Sequence, residues 1–280
     1  MNAQKKIIVC ADDFALNEGI SSAILALLSK HCISATSCMT TSPLWPEWGG
    51  RLKPLASQVD IGLHWDLTQF TPLSASSPKG LRGPLSIGQT IIKAYSRQFS
   101  LAALQQECLL QLKRFQDVMG FAPHFIDGHQ HIHQFPQLRE ALLDVCQSYF
   151  KQNRPPIRLV NGYPFLSPLR DSLLKLLIHT LGRNAFKHQL DKMQWPYYED
   201  FKGIYVFKGN PNVAALFKQF IQQISARGII MCHPGHKINP DTDPISALRE
   251  QEYSFLNSQE WLSLRQAESI QLCRYSEMIS

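Results

Sequence analysis

Paired cysteines and long apolar runs are both missing from the 280-residue sequence. The seven cysteines are odd in number and contain no C-x-x-C arrangement. Several stand in apolar runs, as reduced thiols do in cytosolic proteins, so a disulfide framework is disfavoured. The apolar run "IIVC" near the start is too short for a signal peptide or a membrane-spanning helix, and no later run reaches spanning length. These absences predict a cytoplasmic protein without stable membrane insertion.

Clusters of one charge sign and nucleotide-binding loops are absent as well. The net charge is +6 and the pI is about 8.9, but the lysines and arginines are scattered. No basic run is long enough for a nucleic-acid or membrane patch, so we expect no nucleic-acid partner. No G-x-G-x-x-G follows the first strand and no Walker loop occurs, which disfavours a nucleotide cofactor. The sequence does not determine the oligomeric state, and a homodimer is one option.

The chain does contain a regular alternation of short apolar runs and longer helical periods. Strands are predicted at "KKIIVCADD", "CISATSCMT", "DIGLHWDLT", "HFIDGHQHIH", "IRLVN", "GIYVFKG", "GIIMCHPGH" and "IQLCRYSEM". Helices are predicted between them, the first capped by Asn17 and others over 100–119, 166–182 and 245–266. Segments 72–90 and 183–201 are predicted to be irregular. Because strands alternating with helices form a covered parallel sheet, we predict a single-domain (β/α) barrel over residues 1–280.

The segment "HFIDGHQHIHQFP", residues 124–136, carries the most informative pattern. As an extended strand it would place Asp127, His129, His131 and His133 on one face, since side chains alternate along a strand. A face with one carboxylate and three imidazoles has little value for the stability of a core. We therefore predict that this row faces a polar pocket.

Other polar residues fall at the ends of the remaining predicted strands. Asp12 and Asp13 end the first strand, His64 lies near the end of "DIGLHWDLT", Arg158 is in "IRLV", and His233 follows "GIIMC". The carboxyl ends of barrel strands meet on one rim, so residues far apart in the chain are expected to meet there. Taken singly, each has an ordinary structural interpretation, such as a helix cap for an aspartate or a satisfied core histidine. The prediction of a functional site rests on all of these residues being expected on the same rim.

Two imidazoles and a carboxylate around an open position suit one divalent ion. The ligand types fit Zn²⁺ with a bound water, or a harder ion such as Mg²⁺ that keeps several waters, and the sequence does not decide between them. Adjacent aspartates at a strand end point to different sides, so one can bind the ion while the other acts as a base. His233 is suitably located to protonate a leaving group.

Five segments resemble the YdjC-like carbohydrate deacetylases in order and spacing. They are "IIVCADDFALNEGISSAI", "GLHWDLT", "HFIDGHQHIHQFP", "MCHPGH" and "REQEYSFL", and they extend from residue 7 to about 257. The family includes chitooligosaccharide deacetylases and hopanoid-biosynthesis-associated members, and "GHQHIHQFP" and "SATSCMT" resemble the latter branch. The resemblance implies a barrel related to polysaccharide deacetylases, with one divalent metal held by an Asp-His-His triad.

By this resemblance Asp13, His64 and His129 match the metal ligands. Asp12 matches the proposed base and His233 the proposed acid. The remaining candidates are then contacts that bind substrate or orient the ligands: Asp127, His131, His133 and Arg158.

Two positions depart from the pattern of the family. Ala15 stands where the family usually has glycine, which tightens the first loop if that position needs a positive φ. Gln130 stands where the family often has histidine, and we expect it to point away from the row.

The resemblance implies a metal-dependent hydrolase that removes an N-acetyl group from an acetylated amino sugar or a glycolipid head group. Arg158 or a loop amide would stabilise the oxyanion, and segment 72–90 with Trp195, Tyr197 and Tyr198 would border the sugar cleft. An amidohydrolase-like or phosphoesterase barrel, which often holds two metals, is an alternative. A non-catalytic sugar- or metal-binding module is another.

Overall fold

The computed structural model describes residues 4–160, 182–198, 200–205 and 211–279. Every strand pairing in these ranges is parallel. The strands are β1 (Lys5–Phe14), β2 (Ala35–Cys38), β3 (Asp60–Trp65), β4 (Ile126–Gly128), β5 (Ile157–Arg158), β6 (Tyr197–Tyr198), β7 (Phe201–Lys202), β8 (Ile229–Cys232) and β9 (Ile270–Leu272). They confirm the predicted parallel sheet.

The strands form one sheet in the order β6-β5-β4-β3-β2-β1-β8-β7, and β9 pairs with the beginning of β1. The two ends of this order, β6 and β7, are separated along the chain by residues 199 and 200 alone. The sheet therefore curls into a nearly closed barrel, which confirms the predicted fold class.

Helices follow most of the strands, as a covered parallel sheet requires. They are α1 (Glu18–Ser29), α2 (Trp45–Leu52), α3 (Ile87–Tyr95), α4 (Leu101–Met119), α5 (Leu138–Tyr149), α6 (Arg183–Met193), α7 (Val213–Gln223), α8 (Ser246–Leu256), α9 (Gln259–Ala267) and α10 (Ser276–Ile279). The predicted cap of α1 is confirmed, because the Asn17 side chain accepts the Ile20 N–H at 2.8 Å.

Alternate residues of β1 belong to two different apolar clusters. Ile7 and Val9 belong to the large cluster that the helices cover, whereas Ile8 and Cys10 pack in a smaller cluster with residues of β2, β7 and β8. The smaller cluster fills the interior of the barrel. Asp12 continues the Ile8–Cys10 face by the two-residue period of a strand, so it lies above this interior core at the carboxyl rim.

The structure corrects several predicted elements. Segment 183–201 contains helix α6 rather than irregular chain, and segment 72–90 contains a 3-10 turn, Leu73–Ser76, and the start of α3. The predicted helix over 245–266 is two helices, because Ser258 caps a second one. The strand predicted at "GIYVFKG" is displaced: β7 covers Phe201–Lys202 and ends before Gly203. Residues 206–209 lie outside the described residues, as does the predicted helix over 166–182 apart from its last position.

All seven cysteines are free thiols and six are buried, as predicted from their number and spacing. Among the described helices, none combines the length and the apolar character that crossing a bilayer would require.

Packing against Gly62 gives a stability prediction. A Cβ at this β3 position would lie 2.5 Å from the Phe125 ring, so Gly62→Ala should lower the free energy of unfolding by about 1–3 kcal/mol. Gly50 in α2 is the matched control, because a Cβ there meets nothing within 4 Å. Gly50→Ala should raise the stability by about 0.5–1 kcal/mol in urea unfolding. Equal effects at the two sites would contradict the described packing.

Candidate metal and catalytic site

Three strand ends bring Asp13, His64 and His129 together at the carboxyl rim. Asp13 Oδ1 lies 3.0 Å from His129 Nδ1 and 3.3 Å from His64 Nε2, and the two ring nitrogens are 3.3 Å apart. The aspartate comes from β1, His64 from β3, and His129 follows β4 directly. The residues that match the metal ligands of the family therefore form one compact cluster.

The donor set of this cluster fits a divalent ion. Bonds of about 2.0–2.2 Å to a shared ion separate neighbouring ligand atoms by about 2.8–3.6 Å for octahedral to tetrahedral angles, and the three observed distances of 3.0–3.3 Å fall in this range. Two of the three residues are held through their other polar atom: His64 Nδ1 contacts Asp127 Oδ1 at 2.6 Å, and Asp13 Oδ2 contacts Arg249 at 2.7 Å. Such contacts fix the ring and carboxylate orientations that a metal site needs.

Arg158 joins the two aspartates behind the cluster. Its Nη1 and Nη2 donate to the two oxygens of Asp12 at 2.6 and 2.8 Å, and Nη2 also lies 2.7 Å from Asp127 Oδ2. Burial raises the pKa of Asp12, but the charge and hydrogen bonds of Arg158 together with the nearby His64 and His233 outweigh burial and keep that pKa below its ordinary value. Arg158 is fully buried and does not line the cavity, so its contacts orient Asp12 and Asp127 rather than reach an oxyanion.

Backbone geometry places Asp12 and Asp13 on the same cavity, although adjacent strand residues were expected to diverge. Asp13, within the last residues of β1, has a φ of +68° and Ala15 just after the strand a φ of +71°, so the regular alternation of side chains is broken between Ala11 and Phe14. Both aspartates line the cavity but contact different arginines. Because Ala15 has a positive φ, alanine in place of the glycine usual in the family is expected to tighten the first loop.

The predicted extended row of histidines is wrong. Strand β4 ends at Gly128, and residues His129–Gln134 form a 3-10 segment in which Gln130 and His131 have φ of +51° and +60°. His133 turns back to Arg158, contacting its carbonyl oxygen at 2.9 Å, and burial lowers the pKa of its imidazole to about 4. His131 lines the cavity. Gln130, expected to point away, also lines the cavity.

His233 follows β8 and lines the same cavity as Asp12 and Asp13. Burial lowers the pKa of its imidazole to about 4. Its backbone N–H donates to Glu252, which also accepts the hydroxyl hydrogen of Tyr205. Glu252 is fully buried on α8, and burial raises its pKa to about 7.

Sequence reasoning missed Arg249 and Glu252 as site residues. Both lie on α8 in the segment "REQEYSFL", three residues apart and on its buried face. Arg249 donates to Asp13 and, through Nε, to Asp243 at 2.6 Å. The available signal was a pair of charged residues among the apolar positions of an amphipathic helix, where charges are rare unless they are paired.

The cavity has a volume of about 440 Å³. It contains the triad, Asp12 and His233, together with apolar side chains such as Leu16, Ile87 and Ile245. The aromatic residues predicted for a sugar cleft do not line it. Trp195 is buried and donates to the Pro155 carbonyl oxygen, and Tyr198 donates to the Tyr275 carbonyl oxygen.

A second cluster of ligand types, Cys10, Asp12 and Asp127, lies beneath the cavity. The Arg158 guanidinium contacts all three residues, so a cation already occupies this position. Among the described residues, the arrangement thus offers one metal position rather than the two of an amidohydrolase-like site.

Fold and site together define a class of protein: a nearly closed parallel barrel that carries an Asp-His-His cluster on its carboxyl rim. Residues 6–267 match the model of the family described as YdjC-like protein. The chain belongs to the YdjC-like protein family, which confirms the resemblance.

The chain is also similar to two named deacetylases and to one solved structure. The chain is 25% identical to a carbohydrate deacetylase of Vibrio cholerae serotype O1 (strain ATCC 39541 / Classical Ogawa 395 / O395), over 98% of this chain and 97% of that protein. It is 30% identical to a chitooligosaccharide deacetylase of Yersinia pestis (strain Pestoides F), over 56% of this chain and 60% of that protein. A crystal structure from Enterococcus faecalis V583, of a protein assigned to cellobiose-phosphate cleavage, superimposes with a TM-score of 0.70 at 20% identity, covering 99% of both chains. This last likeness shows a shared fold.

Metal binding can be measured directly on the purified protein. We expect one zinc ion per chain by equilibrium dialysis, and we expect His129→Ala to lose most of this binding because it removes one of three donors. His188→Ala is the control, since that residue is exposed on α6. Unchanged zinc binding in His129→Ala would exclude this cluster as the metal site.

The buried carboxyl of Glu252 gives a pH prediction. Its pKa of about 7 in the folded protein exceeds the ordinary glutamate value, so folding takes up a proton between these two pH values. The contribution of Glu252 to stability therefore falls as pH rises from about 4.5 to 7 and is constant above. The stability of wild type relative to Glu252→Gln should decrease over that range in urea unfolding. A difference that is independent of pH would contradict this environment.

Proposed function

We propose that the protein is a metal-dependent hydrolase that removes an N-acetyl group from an acetylated amino sugar. The observation that carries the proposal is the convergence of Asp13, His64 and His129 in one cavity with Asp12 and His233. The near-full-length similarity to a protein named carbohydrate deacetylase supports the substrate class. The sugar would be a free oligosaccharide or the head group of a glycolipid.

Asp13, His64 and His129 would hold one divalent ion, Zn²⁺ or Mg²⁺. When bound, such an ion polarises an acyl carbonyl and lowers the pKa of an attacking water. Arg249 and Asp127 support this role, because they hold Asp13 and His64 in position from behind.

Asp12 is the base in this proposal. It lines the cavity, and its pair with Arg158 keeps the carboxylate ionised and fixed. As the water oxygen bonds to the acetyl carbon, Asp12 takes the proton that the water releases. Ser37 donates to Asp12 Oδ1 at 3.1 Å and further restricts its rotation.

His233 is the acid in this proposal. With a pKa of about 4 it is neutral in the resting site, so it must take up a proton from solvent during the cycle, while Asp12 returns the proton of the attacking water to solvent. Negative charge on the tetrahedral intermediate raises the proton affinity of a nearby imidazole. As the C–N bond breaks, His233 delivers a proton to the amine nitrogen, and acetate and the free amino sugar leave.

Acetate release tests this function. Zinc-loaded protein should release acetate from N-acetylated chito-oligomers or from an N-acetylglucosaminyl lipid. Asp12→Asn should reduce kcat at least about 100-fold, because it removes the base while the ligands remain. His188→Ala should retain full activity, since it lies on the exposed surface of α6. Wild-type protein with metal bound that is inactive on both substrate types would contradict the proposal.

A further inference from the structure

Two exposed glutamines line the cavity beside the metal cluster. Gln69 follows β3, five residues after His64, and Gln130 is adjacent to His129 after β4. Within the described part of the chain neither side-chain amide has a hydrogen-bond partner, and both are exposed. Because β3 and β4 are paired strands, with His64 opposite Asp127, the two glutamines follow neighbouring strands and line one cavity.

Buried Asp66 fixes the loop that carries Gln69. Its Oδ1 accepts the backbone N–H groups of Thr68 and Gln69, each at 2.9 Å, and its Oδ2 accepts that of Phe70 at 3.0 Å. Gln111 binds both the N–H and the carbonyl oxygen of Asp66. These bonds fix the backbone of the loop at Gln69, so binding of a ligand needs to order only the side chain.

Backbone geometry fixes the second glutamine. Gln130 and His131 both adopt positive φ, a conformation that side chains other than glycine rarely take without a local reason. The 3-10 segment His129–Gln134 that contains them is buried from His131 to Gln134. The consequence of this backbone turn is that Gln130 borders the cavity while His129 stays within the cluster.

The charges of the cavity limit which ligands these amides can accept. Among the described lining residues Arg249 is the one arginine or lysine, and it is already paired with Asp13 and Asp243. Apart from the proposed ion, a phosphate or carboxylate on the ligand would meet no unpaired arginine or lysine among these lining residues, and it would face Asp12 and Asp243. Carboxamides, in contrast, both donate and accept, as neutral hydroxyl groups do.

We propose that Gln69 and Gln130 form a subsite for the ring hydroxyls of an uncharged acetylated sugar. Apolar Leu16 and Ile87 line the same cavity and provide surface for the C–H face of the ring. The inference rests on the proposed function for its substrate class. It adds that the preferred sugar carries no phosphate, and that the two glutamines determine the preference for a sugar over a simple acetamide.

Calorimetry on zinc-loaded Asp12→Asn protein tests the subsite without turnover. We expect N,N′-diacetylchitobiose to bind, and Gln69→Ala or Gln130→Ala to weaken this binding about five- to tenfold each. Gln58→Ala is the matched control, since Gln58 is exposed and outside the cavity. N-acetylglucosamine should bind more tightly than its 6-phosphate at equal ionic strength. Unaltered binding of the disaccharide by the double glutamine variant would overturn the proposal. So would tighter binding of the 6-phosphate than of N-acetylglucosamine, or absence of disaccharide binding to protein in which Gln69 and Gln130 are unsubstituted.

Kinetics on the otherwise unaltered enzyme separate substrate binding from a structural role. The double variant should raise KM for the disaccharide about 25- to 100-fold with kcat within about threefold, as loss of uniform binding does. Its rate on N-acetylethanolamine, which lacks the ring, should stay unchanged. Equal losses on both substrates would overturn the proposal. Absence of turnover with any substrate would contradict the proposed hydrolase, whereas the calorimetric result would still decide whether the two glutamines bind the sugar.

Discussion

Two buried arginines hold the site together. Arg158 binds Asp12 and Asp127 from behind, and Arg249 binds Asp13 and Asp243 from the side. Four carboxylates near two imidazoles would otherwise repel one another in a region of low dielectric constant. Because each guanidinium presents several N–H groups in a rigid plane, it fixes the direction of each carboxylate as well as neutralising it. The geometry of the metal cluster depends on these contacts.

Such a network is expensive for the fold. Removing one partner of a buried ion pair typically costs about 3–5 kcal/mol, because the remaining charge stays in the interior. The barrel carries this cost at its carboxyl rim, directly above an apolar interior that contains Ile8, Cys10 and Phe201. Three layers lie one above the other. The apolar interior of the barrel excludes water from below, the arginines above it fix the carboxylates, and the cavity above them is where a ligand would bind.

The sequence was most informative where backbone topology alone determines position. Asp12, Asp13, His64 and His233 were assigned to one rim because parallel strands end together, and all four line one cavity. Period-two reasoning failed for Asp127 and His133, which do not line the cavity, and His131 reaches the cavity through two left-handed residues after Gly128 rather than along a strand. Arg249 escaped prediction because a charge on a helix is normally a solvated one, and only tertiary packing shows that it is buried. Aromatic composition likewise did not distinguish the buried Trp195 from a ring at the cleft.

The central claim is that one ion lies between Asp13, His64 and His129. X-ray absorption spectroscopy at the zinc edge, together with the anomalous signal from a crystal of the zinc-loaded protein, tests it most directly. The account predicts one zinc ion bound by two imidazole nitrogens and a carboxylate oxygen, with its anomalous peak between these three residues. A sulfur ligand, a peak elsewhere in the molecule, or an ion without histidine ligands would contradict the account.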